Sequence, residues 1–170
     1  MASAVQQANQ SDDVFLPLPQ RMAENADGVL EDIARTYCVS TLDVVHALPD
    51  ANRKIVTGDR LEAILDDVAS WGPILFIVHT PDLVLECEGT LPPGSYGRGY
   101  FNLHGDSPIG GPIRASRRRE SAFVSRPFMG RESLSIQFFN FDGDAMFKIF
   151  VRRDESRALV GEQVARFHAL

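Results

Sequence analysis

The chain has 170 residues and a formal net charge of −6, with 44% apolar and 24% charged residues. This length suits one domain with a sizeable core, and the acidic balance argues against a surface built mainly to bind nucleic acid or anionic lipid. The two cysteines, Cys38 and Cys87, lack a metal-ligand spacing, so we interpret them as reduced thiols of a cytoplasmic protein.

The N-terminal segment is polar and precedes the predicted elements. Residues 1–24 have neither the basic start nor the apolar centre of a signal peptide, so we predict a mobile tail there and a single domain over residues 25–170. No run approaches the roughly 18 apolar residues that a spanning helix needs, so we expect no membrane insertion.

Three short helices are predicted next. Asp27 is a candidate N-cap for the first and Ser40 for the second, and the third carries the apolar stripe Leu61, Ile64, Leu65 and Val68. The first two have the spacing of a helix-turn-helix. However, the second helix has no Arg or Lys, and the segment from Glu24 to Leu48 contains five acidic residues but only one basic residue. A DNA-binding regulator is therefore the least favoured hypothesis.

Beyond Gly72 the periodicity changes to that of strands. Residues 74–78 are all apolar, which predicts a strand buried on both faces. Asn140–Asp144 has the composition of a hairpin turn, and an amphipathic helix is predicted from Asp154. Further strands are predicted at residues 83–88, around 113, and at 121–128, 133–139 and 145–151.

The element order indicates an α+β fold with N-terminal helices, an antiparallel β-sheet meander of about six to eight strands and a C-terminal helix. The sequence does little to protect the sheet edges with charge, so we expect a homodimer. Residues 91–111 concentrate glycine, proline and aromatic residues, which predicts a shaped loop that holds a ligand.

Five segments resemble the HutX/ChuX family of intracellular heme-utilization proteins: Leu30–Ala34, Val44–Pro49, Phe76–Asp82, Gly99–Gly105 and Phe128–Ser133. The resemblance implies a cytoplasmic carrier that binds b-type heme non-covalently, usually as a homodimer. It also implies that the carrier accepts imported heme and delivers it to a heme-degrading or heme-using partner, and that its fold is related to half of the larger HemS-type proteins.

The resemblance also implies an iron ligand. Tyr96 occupies a Tyr-or-His ligand position of the family, and a phenolate is a hard donor suited to ferric iron; otherwise Tyr96 is a half-buried loop residue. A histidine at the position of His79 is associated with heme ligation in the ChuX branch, while the alternative is a hydrogen-bonded histidine at a strand end. The ChuX branch has a second such histidine at the position of Pro112, which cannot ligate iron, so Tyr96 is the first candidate for the ligand and His79 the second.

Arginines are the expected partners of the heme propionates, because a guanidinium pairs with a carboxylate in a bidentate way. The candidates are Arg98, Arg126 and Arg131. His104 suits a polar contact, and Phe101 and Met129 are predicted to line the heme slot, although such residues are also typical of plain core. An enzyme that degrades heme or uses a flavin remains an alternative, but no phosphate-binding glycine motif or acid/base pair stands out, so we predict no catalytic residues.

Overall fold

The computed structural model describes residues 16–170, and this part of the chain contains five α-helices and nine β-strands. The helices are α1 (Leu18–Glu24), α2 (Leu30–Tyr37), α3 (Thr41–His46), α4 (Leu61–Val68) and α5 (Gly161–Ala169). The strands are β1 (Arg53–Thr57), β2 (Pro73–His79), β3 (Val84–Thr90), β4 (Gly94–Gly97), β5 (Tyr100–Leu103), β6 (Gly111–Ile113), β7 (Arg118–Phe128), β8 (Arg131–Asn140) and β9 (Ala145–Phe150).

The strands form two antiparallel sheets. The large sheet has six strands in the order β1-β7-β8-β9-β2-β3, and the small sheet has three in the order β4-β5-β6. Strands β7 to β9 form a three-stranded meander, with Ser135 of β8 between Val124 of β7 and Phe150 of β9. The α+β prediction is confirmed, with nine strands in two sheets rather than six to eight in one.

The large sheet separates two apolar cores. On one face Ala122, Val124 and Phe139 pack with α1, α2 and α3, while on the other face Phe123 and Phe138 pack with α4, α5 and the small sheet. Because successive strand residues point to opposite faces, a single strand such as β7 supplies both cores. The sheet therefore lies between two layers.

Helix α3 belongs to the core. Ser40 caps it, accepting the backbone N–H of Asp43 at 3.1 Å while Asp43 accepts the backbone N–H of Ser40 at 2.9 Å. Its apolar residues Leu42, Val44 and Val45 are almost fully buried, and each such side chain stabilises the fold by about 2 kcal/mol. Because these side chains are buried in the core, they are not available to contact a DNA groove.

Two predictions about helix boundaries and the tail are corrected. Asp27 is not an N-cap, because Gly28 turns the chain at a φ of 112° and α2 begins only at Leu30. Helix α1 occupies the end of the predicted mobile tail, where Met22 is completely buried. The rest of the predicted tail, residues 1–15, lies outside the described residues.

The C-terminal helix and β2 also differ from expectation. Helix α5 begins at Gly161 rather than Asp154, because the Asp154 carboxylate accepts the backbone N–H groups of Ser156 and Ala158 and closes a turn. In β2 only Ile74 is fully buried, since the following residues border cavities on both sides. None of the described helices is both long enough and apolar enough to span a bilayer.

Candidate functional site

A cavity of about 660 Å³ opens on the face of the large sheet that α2 partly covers. Strands β2, β3, β8 and β9, the start of α2 and the β7–β8 turn surround it, and we call it the His79 cavity. Leu75, Ile77 and His79 share the cavity face of β2, while Phe150 and Lys148 of β9 pair with Leu75 and Ile77. The floor is therefore apolar at one end and polar at the other.

Most of the charged side chains that line this cavity are cationic. Five of its lining residues are Lys or Arg and two are Glu, although the whole chain has a net charge of −6. The cations are Arg126, Arg131, Lys148, Arg153 and Arg157. Basic walls beside an apolar floor suit an apolar ligand that carries anionic groups.

Arg126 is held from the side of α2. Its guanidinium donates to the backbone carbonyls of Ala26 at 2.9 Å and Gly28 at 2.8 Å, and it lies 5.6 Å from the ring centre of Phe128. Burial lowers the pKa of Arg126, and the nearby carboxylates of Asp27 and Glu31 oppose that effect. The side chain is thus fixed in place at the cavity wall.

His79, Glu31 and Lys148 form a mostly buried cluster at the polar end. Nδ1 of His79 lies 3.3 Å from Oε2 of Glu31, and Nζ of Lys148 donates to Oε1 of the same carboxylate. The three side chains are 18%, 16% and 7% exposed, respectively. Burial lowers the pKa of Lys148, and the Glu31 carboxylate counteracts it. Within the described residues Nε2 of His79 has no hydrogen-bond partner.

The β7–β8 turn forms the rim. Met129 and Gly130 both have positive φ values, 51° and 74°, as a type I′ turn requires. The carboxylate of Asp27 accepts the backbone N–H groups of both residues at 2.8 Å. Partial burial raises the pKa of Asp27, but these donors, the N–H of Gly28 and the charge of Arg126 together hold that pKa below its ordinary value.

Four of the eight predicted site residues line the His79 cavity, namely His79, Arg126, Met129 and Arg131. The other four, Tyr96, Arg98, Phe101 and His104, lie on or beside strands β4 and β5 of the small sheet and do not line this cavity. The glycine-rich segment therefore folds into strands, and within one chain the structure does not bring the two groups together.

Tyr96 is 53% exposed, and its hydroxyl donates to Glu62 of α4 at 2.5 Å. This hydrogen bond and partial burial raise the pKa of Tyr96, which disfavours the phenolate. Phe101 is buried in the core, and its ring centre lies 5.3 Å from that of Tyr96 in an edge-to-face arrangement. Arg98 and His104 are exposed.

A second cavity of about 600 Å³ lies on the opposite side of β2, between the two sheets. Phe76 and Val78 border it together with Leu103, and Pro112 of β6 lines it as well. His79 and Pro112 therefore face different cavities of the same chain.

Six polar residues of the His79 cavity were missed from the sequence: Glu31, Glu86, Ser133, Lys148, Arg153 and Arg157. One of them carried a visible signal, because Lys148 is the only charged residue in the otherwise apolar run 145–151. Glu31 carried none, since an acidic residue in the first turn of a helix is ordinary.

Comparisons with known proteins agree on one family. The family model "Haem utilisation ChuX/HutX" matches residues 54–170. The intracellular heme transport protein HutX of Vibrio cholerae is 38% identical, over 90% of this chain and 74% of its own length. A protein from Erwinia carotovora has a crystal structure with 45% identity and a TM-score of 0.89, covering 91% of this chain and 96% of that one.

Two further structural relatives extend this result. The structure named "heme binding protein ChuX" shares 40% identity and a TM-score of 0.84, over 90% of this chain and 96% of that one. PhuS from Pseudomonas aeruginosa shares only the fold, at 13% identity and a TM-score of 0.73, and this chain covers 44% of its length. The resemblance predicted from the sequence is thus confirmed, and the chain belongs to the ChuX/HutX haem utilisation family.

Proposed function

We propose that the protein is a non-enzymatic heme carrier that binds heme non-covalently in the His79 cavity, with His79 as the iron ligand. The observation that carries this proposal is the meeting of an imidazole, an apolar floor and several arginines in one cavity. The Vibrio cholerae relative is named a heme transport protein, and the relative ChuX is named a heme-binding protein. These names support the same role here.

The residues present fit the chemistry of heme. Heme needs apolar walls, donors for two propionates and an axial group for iron, in a cavity of roughly 300–1,000 Å³. Leu75, Ile77 and Phe150 supply apolar surface, and Arg131 and Arg157 supply guanidinium groups. Nε2 of His79 is the ring nitrogen that is not engaged by Glu31.

Tyr96, which the family resemblance favours over His79 as the iron ligand, is the alternative candidate in this proposal. Half of its side chain is exposed, so a flat ligand can approach it, but its hydrogen bond to Glu62 must break before a phenolate binds iron. Phe101 pairs with Tyr96 and Arg98 lies two residues beyond it, whereas His104 lies beside Pro93 at the other end of the β4–β5 hairpin. These three residues would belong to that alternative site.

Delivery of the heme and assembly with a second copy belong to the same proposal. The carrier acts in the cytoplasm and passes heme to a heme-degrading or heme-using protein. Strand β3 is an edge strand, and Leu83, Val84 and Leu85 on it or beside it are about half exposed. An open apolar edge favours pairing with another strand, which supports a homodimer.

A hemin titration followed by Soret and visible absorption tests the ligand assignment. We expect saturable binding, with a changed ferric spectrum and weaker binding for His79→Ala. His168→Ala is the matched control, because this histidine is exposed on α5 and lies outside the cavity. A spectral change in Tyr96→Phe alone would move the site to the small sheet, and no saturable binding by the wild type would overturn the carrier function.

A further inference from the structure

The cluster of His79, Glu31 and Lys148 joins three separate elements. Glu31 is in the first turn of α2, His79 ends β2, and Lys148 is in the middle of β9. The two oxygens of one carboxylate are divided between the other two side chains, Oε1 to Lys148 and Oε2 to His79. Lys148 therefore holds one oxygen of the Glu31 carboxylate, and the other oxygen lies beside the imidazole of His79.

A lysine on a buried strand is costly unless its charge is paired. The side chain of Lys148 is only 7% exposed, and its neighbours in sequence, Phe147 and Ile149, are both apolar. Glu31 is its ion-pair partner among the described residues. The ammonium group thus anchors the carboxylate, and the pairing fixes α2 against β9 beside the cavity.

We propose that Glu31, anchored by Lys148, is a positioning residue that sets the tautomer and the ring orientation of His79 for iron binding. This inference rests on the proposed function only in so far as His79 is the ligand. A carboxylate beside Nδ1 stabilises the tautomer with the proton on Nδ1, which leaves the lone pair of Nε2 free for a metal. Glu31 acts through His79, since its two carboxylate oxygens lie against Lys148 and His79.

The first test uses the protein without heme. Nitrogen-15 spectra of histidine-labelled protein distinguish the two tautomers, and His79→Ala identifies the signals of His79. We expect the Nδ1-protonated tautomer of His79 in the wild type and a shift toward the Nε2-protonated tautomer in Glu31→Gln. Asp32→Asn is the matched control, since Asp32 is the next residue on α2 and pairs with Arg35 on the surface.

Removing one charge of a buried pair destabilises a protein, so a second variant is needed. The double variant Glu31→Gln/Lys148→Met removes both charges at nearly constant volume, and we expect the same tautomer shift in it. An unchanged tautomer in both folded variants would overturn the positioning role, whether or not the protein binds heme.

The second test uses bound hemin. Loss of such a supporting contact typically weakens metal binding by roughly 10–100-fold, and we expect a loss of this order together with a changed ferric spectrum in Glu31→Gln. A shifted tautomer with wild-type hemin binding and spectrum would overturn the role in iron binding. Failure of the proposed function is separate, because it appears as the absence of hemin binding in the wild type.

Discussion

The carboxylate of Asp27 accepts the backbone N–H of Met129 at 2.8 Å, across 102 residues of sequence. The same carboxylate accepts the N–H of Gly130, so one side chain fixes the tip of the β7–β8 turn to the segment that leads into α2. This contact closes the rim of the His79 cavity.

Asp27→Asn is expected to destabilise the fold by about 1–2 kcal/mol, because the amide replaces a charged acceptor of three backbone N–H groups. The folded-state pKa of Asp27 is lowered, so its contribution is complete above the unfolded value of about 3.9 and is lost as the pH falls through the folded value. Urea unfolding of both proteins between pH 7 and pH 3 measures this difference. A difference that stays constant over this range would contradict the assignment.

Met129→Asn distinguishes the effect of residue 129 on the stability of the β7–β8 turn from its effect on hemin binding. Met129 has a φ of 51° and is 80% exposed, and the pair Asn-Gly is favoured in a type I′ turn. We expect unfolding to become about 0.5–1 kcal/mol more unfavourable, with weaker hemin binding because apolar surface is lost at the rim. Thermal melts and hemin titrations check the two effects. Unchanged hemin affinity would remove Met129 from the site.

Arg131→Gln and Arg157→Gln are expected to weaken hemin binding by about tenfold each, because a guanidinium–carboxylate contact is lost. Hemin dimethyl ester, which lacks the propionate charges, should bind the wild type and these variants equally. Arg119→Gln is the control, since Arg119 is exposed and lies outside the cavity. Equal losses for hemin and its ester would show that these arginines do not contact propionates.

Glu62→Gln tests the environment of Tyr96. The Glu62 carboxylate raises the pKa of Tyr96, so its neutralisation should lower that pKa, as followed by phenolate absorption in the ultraviolet. Glu88→Gln, in the exposed edge strand β3, should leave it unchanged. If hemin binds through Tyr96, Glu62→Gln should also strengthen binding, whereas binding through His79 predicts no change.

Leu83→Lys/Leu85→Lys should shift a dimer toward the monomer, because charges on an edge strand oppose pairing. Light scattering during size-exclusion chromatography measures the mass. Phe141→Lys is the control, as Phe141 is 61% exposed at the β8–β9 turn, away from that edge. A wild-type mass of 18.8 kDa at micromolar concentration would contradict the homodimer.

Local signals in the sequence predicted local structure well. The N-cap at Ser40, the apolar stripe of α4 and the hairpin around Gly143 each depend on residues close in sequence, and all are present. The pairing of β1 with β7 and of β2 with β9 depends on contacts distant in sequence, which no local pattern encodes. Glu31 and Lys148 meet across 117 residues for the same reason.

The candidate site was predicted only in part. Family resemblance identified His79, and general chemistry identified Arg126 and Arg131 as possible partners of an anionic ligand. Family resemblance also identified Tyr96, and the glycine-rich segment around it forms strands β4 and β5 rather than a loop. At Gly94 a side chain would overlap the ring of Phe101, at 2.3 Å from its carbon atoms.

The residues that line the His79 cavity are spread along the sequence from Val29 to Arg157. A chain still emerging from the ribosome lacks β9 and the segment after it until nearly all residues have been made. Because β2 finds its partner β9 only then, the cavity cannot form until synthesis is nearly complete. A copy that ends before β9 would lack Lys148, Phe150, Arg153 and Arg157 from the cavity walls.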